Sequence, residues 1–380
     1  MTPQERRLWV RQMGARRDWW ALRREAAIDP EIEIVDAHFH LWDERDFPDP
    51  AEPGAMLRTS RYLLDEFLSD VTAGHNLAQA VYVECGSGYR PDGPEHLRSV
   101  GETEWAARMA VQSAGRDGTE TIAAIVAHAD LRHPALDTVL DEHEKAGGGR
   151  LRGIRQSAAR LEDPSARLLA GAAPPGLYAD PAFRRGLARV AERGLVFDAF
   201  LFHFQLPELA ALARAVPSAM IVINHLGAPV GYGGGPAERD PVFTGWCALI
   251  GMLAEHPNLV VKLGGLASIV TQYDAHTRPL PPSSREFVDE RGAYFRHAIR
   301  CFGPERCMFE SNFPVDSVAI SYGNLWNAYK IIAAEHDAAA GQALLAGTAR
   351  RVYACSPAAA AGARRQPGRT APDGRSGGRV

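Results

Sequence analysis

His38 and His40 stand two residues apart where the short run Glu33-Ile-Val-Asp36 ends, and that run reads as a β-strand. On a strand, residues i and i+2 point to the same side, so both imidazoles face one way. Two neutral imidazoles a few ångströms apart are a ready pair of ligands for zinc or a similar ion. His225 follows the apolar run Met220-Ile-Val-Ile-Asn224 and precedes Leu226-Gly227, a setting where a buried histidine needs a partner or a metal. A plain hydrogen bond to backbone would satisfy it too. His203, after the run 195–201, is either a further member of the same cluster or an ordinary strand-to-loop junction beside Phe202, Phe204 and Gln205. His128 and Asp130 could serve a cavity, but the run that follows them also reads as a loop that starts a helix.

Glu84 and Arg155 each end a strand that is apolar on both faces, where a lone charge is costly. They can neutralise one another. Alternatively, the planar fork of Arg155 can fix a substrate carboxylate. Lys262, inside Leu259-Val-Val-Lys-Leu263, is a further candidate for a central cavity.

The elements that must position these groups are eight β-branched runs, at 33–36, 78–84, 121–126, 151–155, 195–201, 220–224, 259–263 and 306–309. Helical stretches lie between most of them, such as 102–112, 134–145, 181–193, 207–215 and 245–255. Strand and helix in regular alternation indicate a parallel α/β fold. An open doubly wound sheet fits the pattern as well, but the count and size favour a closed (β/α)8 TIM barrel as one domain over 31–355. In such a barrel the chemistry sits at the C-terminal ends of the strands, which is where the residues above fall. The long loops at 41–76, 85–100 and 264–286 would wall the site. Residues 1–30 carry seven arginines with Trp9, Trp19, Trp20 and Leu22, and read as a helical extension whose aromatic side packs on the barrel or on a partner. That helix offers a surface for a homo-oligomer. From Ser356 onward the chain is Ala, Gly, Arg and Pro, too poor in apolar bulk to offset its ordering entropy, and reads as a disordered tail.

Composition narrows the partner. Of 380 residues, 42 are Lys or Arg and 46 Asp or Glu, a net charge of −4 that offers no basic surplus for nucleic acid or an anionic membrane. No apolar run reaches the roughly 18 residues needed to span a bilayer. Five scattered cysteines without a Cys-x-x-Cys pair argue against a disulfide framework and for a cytoplasmic setting. His143-Glu144 lacks the second histidine of a helical zinc motif, the glycines at 231–235 lack the Lys-Ser/Thr of a phosphate loop, and Gly86-Ser87-Gly88 lacks the glycine of a nucleophile elbow.

Taken together, Asp36-Ala-His-Phe-His-Leu-Trp42, Gly153-Ile-Arg155, Asn224-His-Leu-Gly-Ala-Pro229 and Cys307-Met-Phe-Glu-Ser-Asn-Phe-Pro-Val-Asp316, with the closing Gly347–Tyr353, resemble the amidohydrolase superfamily and its amidohydrolase-2 group. The resemblance is nearest to the lactonase branch, with non-oxidative decarboxylases as a sister branch. It implies that His38 and His40, with His203, bind a single divalent ion, zinc or manganese, and that His225 orients or deprotonates water. Arg155, with His203 and Glu310, would hold a small-molecule substrate. A carboxylate usually ends strand eight; here the matching position is Asn312, which cannot accept a proton at neutral pH. The base is then His225, Glu84, Glu310 or Asp316, and chemistry without a metal stays open. The expected activity is hydrolysis of a small lactone or cyclic ester; the alternatives are decarboxylation of a small carboxylic acid and a barrel that binds a ligand without catalysis.

Overall fold

The computed structural model describes residues 17–43, 61–115, 120–160, 173–230, 241–268, 271 and 273–355. Eight parallel strands pair in chain order: β1 (Glu33–Phe39), β2 (Asn76–Val83), β3 (Ile122–His128), β4 (Leu151–Arg155), β5 (Val196–Ala199), β6 (Ile221–Ile223), β7 (Leu259–Leu263) and β8 (Cys307–Phe309). A helix follows each: Leu64–Val71, Val100–Gln112, Leu136–Gly147, Pro181–Glu192, Leu206–Ala215, Pro241–Ala254, Ser284–Phe302 and Tyr322–Ala333. The ring closes just beyond β8, where Phe39 bridges Phe313, His40 N–H donates to Phe313 O (2.7 Å) and Asn312 N–H donates to His38 O (2.9 Å). This is the (β/α)8 barrel expected from the alternation of runs.

Local chemistry sets the helix ends. Asp180 caps Pro181–Glu192 by accepting from Ala182 N–H (2.7 Å), with proline at the first helical position. Ser283 and Glu286 exchange side-chain and backbone bonds at the start of Ser284–Phe302. Val35, Ala37, Val81, Val83, Ala124, Val126, Val196, Val222, Val260 and Met308 form the packed barrel interior. The C-terminal segment plugs the end where the strands begin: Arg350 donates to Glu33 (2.7 Å) at the start of β1, and Val352 and Tyr353 pack among the interior valines. At the N-terminus, Trp19 and Trp20 are buried, their indole N–H groups donating to Arg278 O and Ser317 O (3.1 Å each). Residues 1–16, Trp9 among them, and the tail 356–380 lie outside the described residues, as do the glycines at 231–235. Among the described residues, no helix is long and apolar enough to cross a membrane.

Candidate active site

A break in β1 brings the histidine pair into the barrel. Val35 and Ala37 face the interior, so simple alternation would turn His38 outward. The register of β1 against β2 shifts between Asp36 and Phe39, which resets the phase. Phe39 then stacks outward on Phe67, and His38 and His40 face each other with Nε2 atoms 3.0 Å apart. Behind the break, the Asp36 carboxylate accepts from Ser311 N–H (2.8 Å), His38 N–H (3.2 Å) and Tyr322 O–H (3.2 Å), tying β1 to the loop after β8. Burial pushes its pKa up to about 6.

His225 arrives by a rarer backbone route. Residues 225–228 all lie in the left-handed region, with φ of 55° at His225, 56° at Leu226, 68° at Gly227 and 38° at Ala228. Such a conformation costs a non-glycine residue about 1–2 kcal/mol, so the surroundings must hold it. They do: Trp246 Nε1–H donates to Leu226 O (2.7 Å), and His225 N–H donates to Glu310 Oε1 (3.1 Å). The same carboxylate oxygen accepts from His225 Nδ1–H (2.7 Å), and the His225 ring lies 4.7 Å, centroid to centroid, from that of His38. Among the described residues, His38, His225 and Glu310 form one buried group whose ligand atoms lie within 4.8 Å of one another.

Charged side chains surround this group. Glu310 Oε2 lies 3.0 Å from His38 Nδ1 yet receives no aligned hydrogen bond. Lys262, wholly buried, donates to the same nitrogen (3.2 Å) and to Asp198 Oδ2 (2.7 Å). Asp198 also accepts from Asn224 Nδ2 (2.8 Å) and from the hydroxyl of Tyr353 (2.8 Å), which enters through the plugged end. Arg155 donates from Nε to Glu84 Oε1 (2.6 Å) and from Nη2 to Glu84 O, while its Nη1 lies 3.5 Å from His38 Nε2. Burial first, then the nearby Lys262, His225, His40 and Arg155, hold the His38 pKa well below the usual imidazole range, so this ring is neutral.

His38, His40, His225, Arg155, Glu84 and Glu310 thus converge, as do Lys262 and the unforeseen Asp198. His203 does not join them. β5 ends at Ala199, and His203 instead opens a short 3-10 turn where its Nδ1 accepts from Val230 N–H (3.1 Å). Asn312, at a φ of 54°, donates from Nδ2 to Asp316 Oδ1 (2.8 Å). Asp316 is wholly buried, accepts from Ala267 N–H (3.0 Å), and is pushed well above the usual carboxylate range by that burial. His128 closes β3 and Asp130 lies in the loop before Leu136–Gly147: His128 Nδ1 pairs with Arg155 O (3.2 Å) and Asp130 accepts from Arg132 N–H (3.0 Å). Glu102, which no sequence pattern marks, accepts from Tyr82 O–H (2.8 Å) and from Cys85 N–H (2.8 Å) and Ser87 N–H (3.2 Å), shaping the loop after β2. Burial and then the Glu84 charge push its pKa up to about 7.

The sequence profile of the amidohydrolase family matches residues 35–355. A Sinorhizobium fredii protein named only as uncharacterized y4mH is 33% identical, over 85% of this chain and 99% of its own. An L-fucono-1,5-lactonase of Burkholderia multivorans is 29% identical, over 84% of this chain and 95% of its own. Among solved structures, a zinc-bound amidohydrolase from Burkholderia multivorans is 27% identical with a TM-score of 0.65, over 85% of this chain and 99% of its own. The chain belongs to the amidohydrolase family of barrel hydrolases.

Proposed function

We propose that this barrel hydrolyses the lactone of a small polyhydroxy acid, with His225 as the general base. The observation that carries the reading is the 2.7 Å bond from His225 Nδ1–H to Glu310 Oε1. It leaves Nε2 of His225 as a bare acceptor, and the carboxylate charge stabilises the imidazolium that forms when Nε2 takes a proton. Water attacks the lactone carbonyl carbon as His225 removes its proton. The ring C–O bond then breaks, and the same imidazolium returns the proton to the departing ring oxygen. The product hydroxy acid ionises and releases one proton to solvent. The Arg155 guanidinium, fixed by Glu84 and directed toward His38, offers a positive anchor for the carbonyl or carboxylate oxygen of the substrate. Glu310 is wholly buried against the histidines, which suits it to orienting His225 rather than to touching substrate. The lactonase name of the Burkholderia multivorans relative supports the same substrate class.

A divalent ion also fits. His40 gives its Nδ1 proton to Val83 O (2.7 Å), so its Nε2 offers a lone pair, and the unsatisfied Glu310 Oε2 can take the Nδ1 proton of His38 to free a second one. His38 and His40 would hold the ion, zinc or manganese, and it would supply Lewis-acid polarisation of the carbonyl. A panel of aldonolactones with a pH indicator and carbon dioxide detection tests the function. One proton released per lactone and no carbon dioxide is the expected result, while carbon dioxide release or no turnover above spontaneous hydrolysis overturns it. Gly265 gives a second check, because a Cβ there would meet His225 Cβ at 2.5 Å and its φ is +72°. Gly265→Ala is expected to displace the base and lower kcat about 100-fold, in steady-state kinetics on the lactone that the panel finds.

A further inference from the structure

Two groups of opposite kind compete for one nitrogen of His38. The Lys262 ammonium stands 3.2 Å from Nδ1 and Glu310 Oε2 stands 3.0 Å from it. An ammonium can only donate and a carboxylate can only accept, so the two partners demand opposite tautomers of the ring. With Lys262 bonded, Nδ1 is bare and the single proton of the neutral ring sits on Nε2. There it is donated to His40 Nε2 at 3.0 Å, and His40 passes its own Nδ1 proton to Val83 O. Each link from Lys262 through His38 to His40 then sets a donor against an acceptor, with Asp198 holding the far side of the ammonium at 2.7 Å. In the other tautomer Glu310 takes the Nδ1 proton, and two bare nitrogens face each other across the same gap. That arrangement is repulsive unless a cation lies between them.

We propose that Lys262 holds His38 in the tautomer that closes the histidine pair on itself, and so lowers the affinity of His38 and His40 for a divalent ion. The inference rests on reading these two residues as the ion's ligands, and it is independent of the substrate. The hydrogen-bond directions support it: the Lys262 bond to Nδ1 is aligned, whereas Glu310 Oε2 receives none. Electrostatics acts in the same sense. Arg155 Nη1, which can only donate, stands 3.5 Å from His38 Nε2 and competes weakly with the 3.0 Å bond to His40, and the ring lies between two fixed cations before any ion arrives. Asp198, wholly buried, and Glu84, half-buried, are already paired with those cations, at 2.7 and 2.6 Å.

The test uses metal-stripped full-length protein and zinc itself, titrated against a chromophoric chelator. Lys262→Met is expected to bind zinc about 10- to 100-fold more tightly than the wild type. Imidazole nitrogen NMR of the ion-free protein is expected to show His38 protonated on Nε2, moving to Nδ1 in Lys262→Met. Unchanged or weaker zinc binding by the variant overturns the proposal. So does a wild-type His38 protonated on Nδ1, which removes the tautomer assignment while leaving the ligand assignment standing. If His38→Ala on the Lys262→Met background leaves zinc affinity unaltered, the ligand assignment fails and the proposal with it. Should Lys262→Met not fold, the pair Lys262→Met with Asp198→Asn removes both buried charges and carries the same comparison.

Discussion

Replacing His225 by Gln is expected to lower kcat for lactone hydrolysis by about 10²–10⁴-fold while leaving KM within a few-fold. Gln keeps a polar side chain of similar reach but cannot take a proton at neutral pH. KM is spared because the proposed anchor, Arg155, is held by Glu84. Glu310→Gln is expected to cost nearly as much, since it removes the charge that stabilises the imidazolium and swaps one acceptor oxygen for a donor. The double variant is then hardly worse than either single one, because the two residues act as one unit. Steady-state kinetics on the three variants decides. A folded His225→Gln enzyme within tenfold of the wild type would remove His225 as the base.

Asp198→Ala is expected to destabilise the barrel by about 3–5 kcal/mol, because it strands an ammonium in the interior. Lys262 would keep the neutral His38 Nδ1 and the face of the Tyr353 ring, 5.0 Å away, and both charged side chains are wholly buried. Lys262→Met costs less, because Asp198 keeps its bonds from Tyr353 O–H (2.8 Å) and Asn224 Nδ2 (2.8 Å). Adding Lys262→Met to Asp198→Ala is therefore expected to restore much of the loss, a coupling that urea unfolding of the four proteins measures. Additive losses would show that the pair does not act as a buried unit.

The barrel and most residues of its candidate site were legible because they depend on local pattern. Short β-branched runs alternating with amphipathic stretches specify strand and helix, and strand ends in such a fold collect at one rim. Glu84 and Arg155 stood out as charges in apolar strands, and the structure joins them at 2.6 Å. Asp198 carries the same signal, a single carboxylate inside Leu195-Val-Phe-Asp-Ala-Phe-Leu201, and could have been read the same way. Glu102 carries no such mark, because an acidic residue near the start of a helix is ordinary. Only packing shows that it is buried and turned onto the backbone of the loop after β2.

The chain alone determined which residue types end the strands, and hence the chemistry on offer: imidazoles, a guanidinium and carboxylates on a closed parallel sheet. Tertiary structure decided their pairing. A register shift in β1 turned His38 inward, an early end to β5 left His203 on a separate turn, and a left-handed segment set His225 on Glu310. Periodicity assumes a regular backbone, and these departures from regularity are stabilised by contacts far apart in sequence, such as Trp246 on Leu226 and Lys262 on His38. Local pattern holds no record of such contacts, so the partners of each proton at this site exist only in the folded barrel.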